Sequence, residues 1–230
     1  MQTRGRKVIS MILGCLAAAV MLLCALYAMG GFTVHTEENV TDHPNGFGDV
    51  YTGTLYDGKM IGYGKLVFQS GDRYEGDFKD GDFDGHGVFT SAKGWTYDGS
   101  FRTGKPDGTG VFTDARGGVY TGDFQDGEIM GKGGFRTPEE WDYEGAWDRG
   151  RLTGEGRFTY ADGSTYEGGF QDGAAHGEGV YTDAGGWSYA GGFLQGLFEG
   201  YGVLTHPNGE VTEGQWSMGV QIREPAAEGA

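Results

Sequence analysis

From Tyr51 onward, large apolar residues and glycines alternate with polar ones, and the alternation restarts every 23 residues. In Tyr74-Glu75-Gly76-Asp77-Phe78 the rings and the glycine occupy one set of alternate positions, and the two carboxylates occupy the other. A period of two predicts a strand with one buried and one solvated face. Gly85, Gly87 and Phe89 repeat the logic, with His86 and Val88 on the opposite face. Asp80-Gly81 between the runs is a turn signal, because glycine accepts positive φ. A second turn is predicted at Ala92-Lys93-Gly94, with strong equivalents at Asp162-Gly163 and Asn208-Gly209. Each copy is therefore a β-hairpin, and successive hairpins can pair into one antiparallel sheet.

The register never slips. Tyrosine falls at Tyr51, Tyr74, Tyr97, Tyr120, Tyr143, Tyr166 and Tyr189, and glycine follows two residues later each time. Leu55, Phe78, Phe101, Phe124, Trp147, Phe170 and Phe193 stand four residues after each tyrosine. Such a fixed period is the mark of a repeat architecture. Seven units predict fourteen strands, and a half unit from Thr212 through Gly214 and Trp216 to Gly219 predicts one more. At ~4.8 Å per strand the array would extend roughly 70 Å. Two departures stand out. Glu140 replaces the turn glycine, which predicts a different turn at Pro138-Glu139-Glu140, and Thr212 replaces the tyrosine, as in an end cap.

Composition sharpens this picture. Glycine supplies 48 of 230 residues, far too many for helices at ~1 kcal/mol each against alanine. Glycine does not recur every third residue, so collagen is excluded, and 14 Phe, 13 Tyr and 5 Trp argue for a packed chain. On this reading glycine has a packing role: it opens slots on the sheet that the rings of adjacent repeats fill. Pro44, Pro106, Pro138, Pro207 and Pro225 all fall in expected turns or tails.

The first 30 residues differ from the rest. Val8 to Ala28 is an uncharged apolar run preceded by Arg4, Arg6 and Lys7. At 1.5 Å per residue it would span ~30 Å, a bilayer core. The positive-inside rule places the N-terminus in the cytoplasm and the repeats on the extracytoplasmic side. The rival is a cleaved leader releasing a secreted protein, with Ala28-Met29-Gly30 as a passable site, but a leader's apolar stretch is shorter. A lipoprotein reading through Cys15 is weaker, because Leu13 is bulky where a small residue is expected. The expected organisation is a signal anchor over 1–30, a linker over 31–47, the array over 48–220 and a disordered tail over 221–230. Cys15 and Cys24 are the only cysteines, so the array has no disulfide and no thiol nucleophile. Three of 17 basic residues lie in the first 30 positions, leaving 14 against 33 acidic ones. That balance disfavours nucleic acid and anionic headgroups as partners.

The pattern Tyr-x-Gly-x-Phe/Trp-x-x-Gly-x3-Gly-x-Gly-x-Phe resembles the MORN (membrane occupation and recognition nexus) repeat. The segment from Tyr166 through Gly168, Phe170, Gly173, Gly177 and Gly179 to Tyr181 is close to the family motif, and the likeness covers 51–219. The resemblance implies an all-β fold, an elongated single-layer antiparallel sheet of hairpins. It also implies protein–protein contact, scaffolding, dimerisation and, in some members, lipid association.

Chemistry is sparse. The Gly-x-Gly pairs, such as Gly62-Tyr63-Gly64, lack the third glycine and the helix that a dinucleotide site needs. His35, His43, His86, His176 and His206 share no metal-ligand spacing. Asp80, Asp82, Asp84 and Gly85 reproduce the start of a calcium loop, but Ser91 stands where the closing Glu belongs and strands flank it. The repeat already explains Asp80 and Gly85, so a charged hairpin turn is the simpler reading. Glu75, Asp77, Asp98, Asp123, Glu144 and Glu167 recur along one face, as a solvated surface does, and form no two-carboxylate cleft. No catalytic, cofactor-binding or metal residue is assigned and no cofactor is expected. The sequence predicts a non-enzymatic, membrane-anchored scaffold for a protein partner, with envelope-surface binding as the alternative. Its open sheet edges offer a route to homodimers.

Overall fold

The computed structural model describes residues 38–222, and every regular element in that range is a strand. The expected N-terminal helix lies outside the described residues, as do residues 223–230 of the expected tail. Among the described residues no helix is long and apolar enough to cross a membrane. The chain divides into two compact units, with the boundary between Phe135 and Arg136.

The first unit is a single antiparallel sheet. Its strands are β1 (Glu38–Pro44), β2 (Val50–Tyr56), β3 (Lys59–Val67), β4 (Arg73–Lys79), β5 (Asp82–Thr90), β6 (Thr96–Arg102), β7 (Lys105–Thr113), β8 (Val119–Gln125) and β9 (Glu128–Arg136). They pair in sequence order. The second unit has the same plan: β10 (Trp141–Asp148), β11 (Arg151–Tyr160), β12 (Thr165–Gln171), β13 (Ala174–Thr182), β14 (Ser188–Leu194), β15 (Leu197–Thr205), β16 (Val211–Ser217) and β17 (Val220–Gln221).

Two kinds of turn alternate. At Asp57-Gly58, Asp80-Gly81, Thr103-Gly104 and their equivalents, both central residues have positive φ, and the flanking strands meet across a two-residue loop. That is a type I′ turn, whose twist matches paired strands. The other connection is a three-residue loop. Gly94 N–H donates to Ser91 O (2.9 Å) and Ser91 N–H to Trp95 O (2.9 Å), with Gly94 at φ 89°. The predicted exception at Glu140 is real: the Oγ1 of Thr137 accepts from Glu140 N (3.0 Å) and Trp141 N (2.7 Å). A side-chain oxygen thus caps this loop, as Asp114 Oδ1 caps Gly118 N–H (2.8 Å) in a copy that keeps the glycine.

Each hairpin also carries a bulge. Gly76 pairs with Gly87 but Phe78 with Phe83, so the longer strand holds two extra residues around Gly85, at φ 114°. Asp77 Oδ2 accepts the freed His86 N–H (3.1 Å), and Asp123 does the same for Lys132 (3.1 Å). Bulges bend a strand and re-aim its side chains, which lets residues beyond the bend close over the ring face.

Two expectations need correction at the ends of the array. Residues 38–44, assigned to a linker, form β1, with Val40 buried against β2 and Thr54 Oγ1 donating to Asn39 Oδ1 (2.8 Å). The polar composition suggested a loop, but the open edge of β2 offers unpaired backbone groups that a polar strand can satisfy. At the far end Val220–Gln221 form β17, so Gln221 belongs to the sheet rather than to the tail. The fifteen expected strands therefore gain β1 and β17.

Candidate functional site: an aromatic row on the second unit

The ring face is built from one motif. Tyr97 is about 1% exposed and lies flat over Gly99 and its cross-strand partner Gly110. A Cβ on Gly110 would stand 2.5 Å from the Tyr97 hydroxyl. That hydroxyl donates to the backbone O of Ser100 (2.9 Å), and all seven repeat tyrosines make the same bond three residues on, at 2.8–3.3 Å. Each tyrosine thus fills the slot opened by its own repeat's glycines. The expectation that adjacent repeats fill the slots is corrected, because a flat ring already spans both strands of its hairpin. Adjacent repeats meet edge-on instead: Tyr74 contacts its own Phe78 at 5.0 Å and the next repeat's Phe101 at 5.2 Å, near perpendicular. Edge-to-face pairs add about 0.5–1.5 kcal/mol each beyond the area they bury.

A third residue lies over the tyrosine. Phe83 stacks on Tyr74 at 3.7 Å and 10°, and Phe198 on Tyr189 at 3.8 Å and 10°. The equivalent positions are Met60, Pro106, Ile129 and Leu152, and one is small, Ala175. Burial raises the pKa of Tyr51 to about 12, and the pKa of Tyr97, Tyr120, Tyr143, Tyr166 and Tyr189 also rises, mainly through burial.

The two units differ in how completely this face is closed. In the first, Leu66, Phe68, Phe89, Trp95 and Phe112 are all buried at 4% exposure or less. In the second, around Ala175, the corresponding side chains stay open: Phe158, Tyr181, Trp187 and Phe198 are half-buried and Tyr160 is exposed. They form a continuous row. Tyr160 contacts Phe158 at 4.7 Å and Tyr181 at 6.2 Å, Tyr181 contacts Trp187 at 5.1 Å, and Trp187 contacts Phe198 at 6.3 Å. Burial of its hydroxyl, with Tyr181 and Asp162 beside it, raises the pKa of Tyr160. Hydrogen bonding to Ser164 lowers the pKa of Asp162, so it is ionised at neutral pH.

The residues weighed in the sequence fall elsewhere. Asp80 sits in a type I′ turn at φ 54°, and Asp84 accepts Thr103 N–H (3.3 Å). Burial, then Asp84 and Asp80, raise the pKa of Asp82. Among the described residues no group of three or more His, Cys, Asp and Glu is placed to hold a metal ion. Glu75, Asp98, Glu144 and Glu167 are exposed opposite the rings, and Asp77 and Asp123 cap bulges. The aromatic row was not singled out in the sequence. Its signals were Tyr181 at a position held by Phe in four other repeats, Tyr160 where five other repeats place a polar residue, and Ala175 in a series of large residues.

Comparison with known proteins agrees with this geometry. The MORN repeat model matches residues 51–73, 74–96, 97–119, 120–138, 143–165, 166–188 and 189–211, breaking only around the Glu140 turn. The chain belongs to the MORN repeat family. Comparison with curated proteins gives no match. Among solved structures, it is similar to the TCP domain of Drosophila melanogaster SAS-4 (dCPAP), solved with a proline-rich motif of Ana2 (dSTIL). Identity is 11% over 67% of this chain and 84% of that one, with a TM-score of 0.43. It is also similar to the TCP10 domain of Danio rerio CPAP, solved with a STIL peptide, at 17% identity over 79% of this chain and 99% of that one, TM-score 0.21. At these TM-scores neither bears on the function of this chain.

Proposed function

We propose that the protein is a non-enzymatic, membrane-anchored scaffold that docks a partner protein on the aromatic row of its second unit. The observation that carries this reading is the half-open row from Phe158 to Phe198, whereas the ring face of the first unit seals Leu66, Phe68, Phe89, Trp95 and Phe112. Contiguous exposed apolar surface marks interaction sites, and aromatic residues are enriched at their centres. The rings stand on paired strands, so they lose little freedom on binding.

The anchored reading rests on the sequence. The uncharged run from Val8 to Ala28 follows three basic residues, which favours a cytoplasmic N-terminus and extracytoplasmic repeats. A single cysteine introduced as Met218→Cys, with Cys15 and Cys24 changed to serine, tests the side. An impermeant maleimide should label intact cells; labelling only after lysis would reverse the orientation. Release of a shortened protein into the medium would support the leader instead. For docking, Tyr181→Ala/Trp187→Ala should lose a partner that the wild type retains from native membranes, with the melting temperature little changed. Equal retention by both would remove the row from the interface.

A second reading has its own observation. The short β17 pairs with β16 only at Trp216 and Ser217, and Val211, Met218, Val220 and Ile222 are more than half exposed nearby. That edge suits pairing with a second copy. Light scattering of the purified protein would show a dimer if so, and a concentration-independent monomer if not.

A further inference from the structure

We propose that the docked segment is cationic: an extended stretch bearing arginine or lysine, laid along Phe158, Tyr160, Tyr181, Trp187 and Phe198. The proposal rests on the docking reading above and adds the chemistry of the partner. Its first support is charge. From Phe158 to Ile222 the chain contains no Lys or Arg; of its carboxylates, Asp162 and Asp183 border the row, while Glu167 and Glu178 lie opposite the rings. An acidic segment would meet like charge at Asp162 and Asp183 and no cation from that stretch, at a cost that excludes wrong partners, while a basic one meets complementary potential. The second support is the nature of the open surface. Phenol and indole rings attract cations over their faces, and arginine most of all, because its flat guanidinium can stack on a ring and still pair with a carboxylate.

The third support is placement. The row runs across the sheet from β11 to β15, four strand spacings or about 19 Å, which about six residues of extended chain would cover. Carboxylates stand in the turns bordering it. Asp162 is two residues from Tyr160, and its Oδ1 accepts Ser164 N–H (2.9 Å). Asp183 opens the turn that closes on Trp187, and its Oδ1 accepts Gly185 N–H (2.6 Å). Both carboxylates are fixed by the turns, and each keeps lone pairs for an incoming guanidinium.

The test uses the full chain in detergent and three fluorescent peptides of equal length with arginine, glutamine or glutamate at alternate positions. Fluorescence anisotropy should show binding of the arginine peptide, weakening as salt rises. Tyr160→Leu/Trp187→Leu keeps apolar bulk but removes the π faces, and should weaken that peptide roughly tenfold. Asp162→Asn/Asp183→Asn should weaken it by a similar factor and flatten the salt dependence. Glutamine and arginine peptides binding equally would overturn the cationic proposal and leave the docking reading standing. Arginine-peptide binding unchanged in both variants would also overturn it, since the attraction would then be the general acidity of the protein. Binding of none of the three would overturn the proposal and the peptide-docking reading together.

Discussion

At the scale of the residue, the decisive contact is a tyrosine ring flat over two glycines. The contact fixes both partners, because the space beside the ring has no room for even one methyl group. Gly110→Ala should therefore destabilise the protein by about 1–3 kcal/mol, as overpacking does. Gly46→Ala, where an added Cβ meets nothing within 4 Å, should leave stability within about 0.5 kcal/mol. Urea titration of the pair checks both. Thr103 holds φ 46° in a type I′ turn, a conformation that a β-branched residue adopts at a cost. Thr103→Asn should raise stability by roughly 1 kcal/mol, read as a higher melting temperature. The buried hydroxyls add a pH dependence. A tyrosine whose folded pKa exceeds its unfolded value of about 10 contributes stability that is complete below pH 10. Above that the unfolded chain sheds protons that the folded one retains, so stability is lost as pH rises from 10 through about 12, the value for Tyr51. Thermal melts should be insensitive to these groups from pH 8 to 9.5 and fall steeply beyond 10.

At the scale of the element, each hairpin closes its own tyrosine slot and meets its neighbours edge-on. Stability should then be close to a sum over hairpins and their interfaces. Deleting residues 97–119 brings Thr96 to Tyr120 in the phase that Tyr97 held, so the shortened array should fold with one cooperative transition and a lower melting temperature. A circular dichroism melt without a cooperative transition would contradict nearest-neighbour stacking. The hairpins were legible in the sequence because strand alternation, turn glycines and repeat phase all agreed, as from Tyr74 to Phe89. The Glu140 turn was legible because the glycine was missing. β1 was not, since the polar run around Val40 has no repeat phase and becomes a strand only because β2 has an edge to cover. The owner of each glycine slot was not legible either, because alternation gives the face of a side chain but not the direction in which its ring lies.

At the scale of the whole molecule, the proposed docking depends on where the ring face stays open. Sealed rings such as Tyr97 and Phe112 hold the sheet, while half-open ones from Phe158 to Phe198 are free to hold something else. The sequence concealed this difference, since both sets occupy equivalent repeat positions. What separates them is the set of neighbours, with Ala175 where other repeats place a large side chain, and the absence of Lys and Arg from Phe158 to Ile222. Strand alternation supplies the sharpest test. Along β13, Tyr181 belongs to the ring face, while Val180 and Thr182 point to the other side and are exposed. A photo-crosslinking amino acid placed at each of the three positions in the cell that makes the protein would read out the docking face directly. The account predicts a covalent adduct with the partner from position 181 and none from 180 or 182; adducts from 180 and 182 with none from 181 would contradict it.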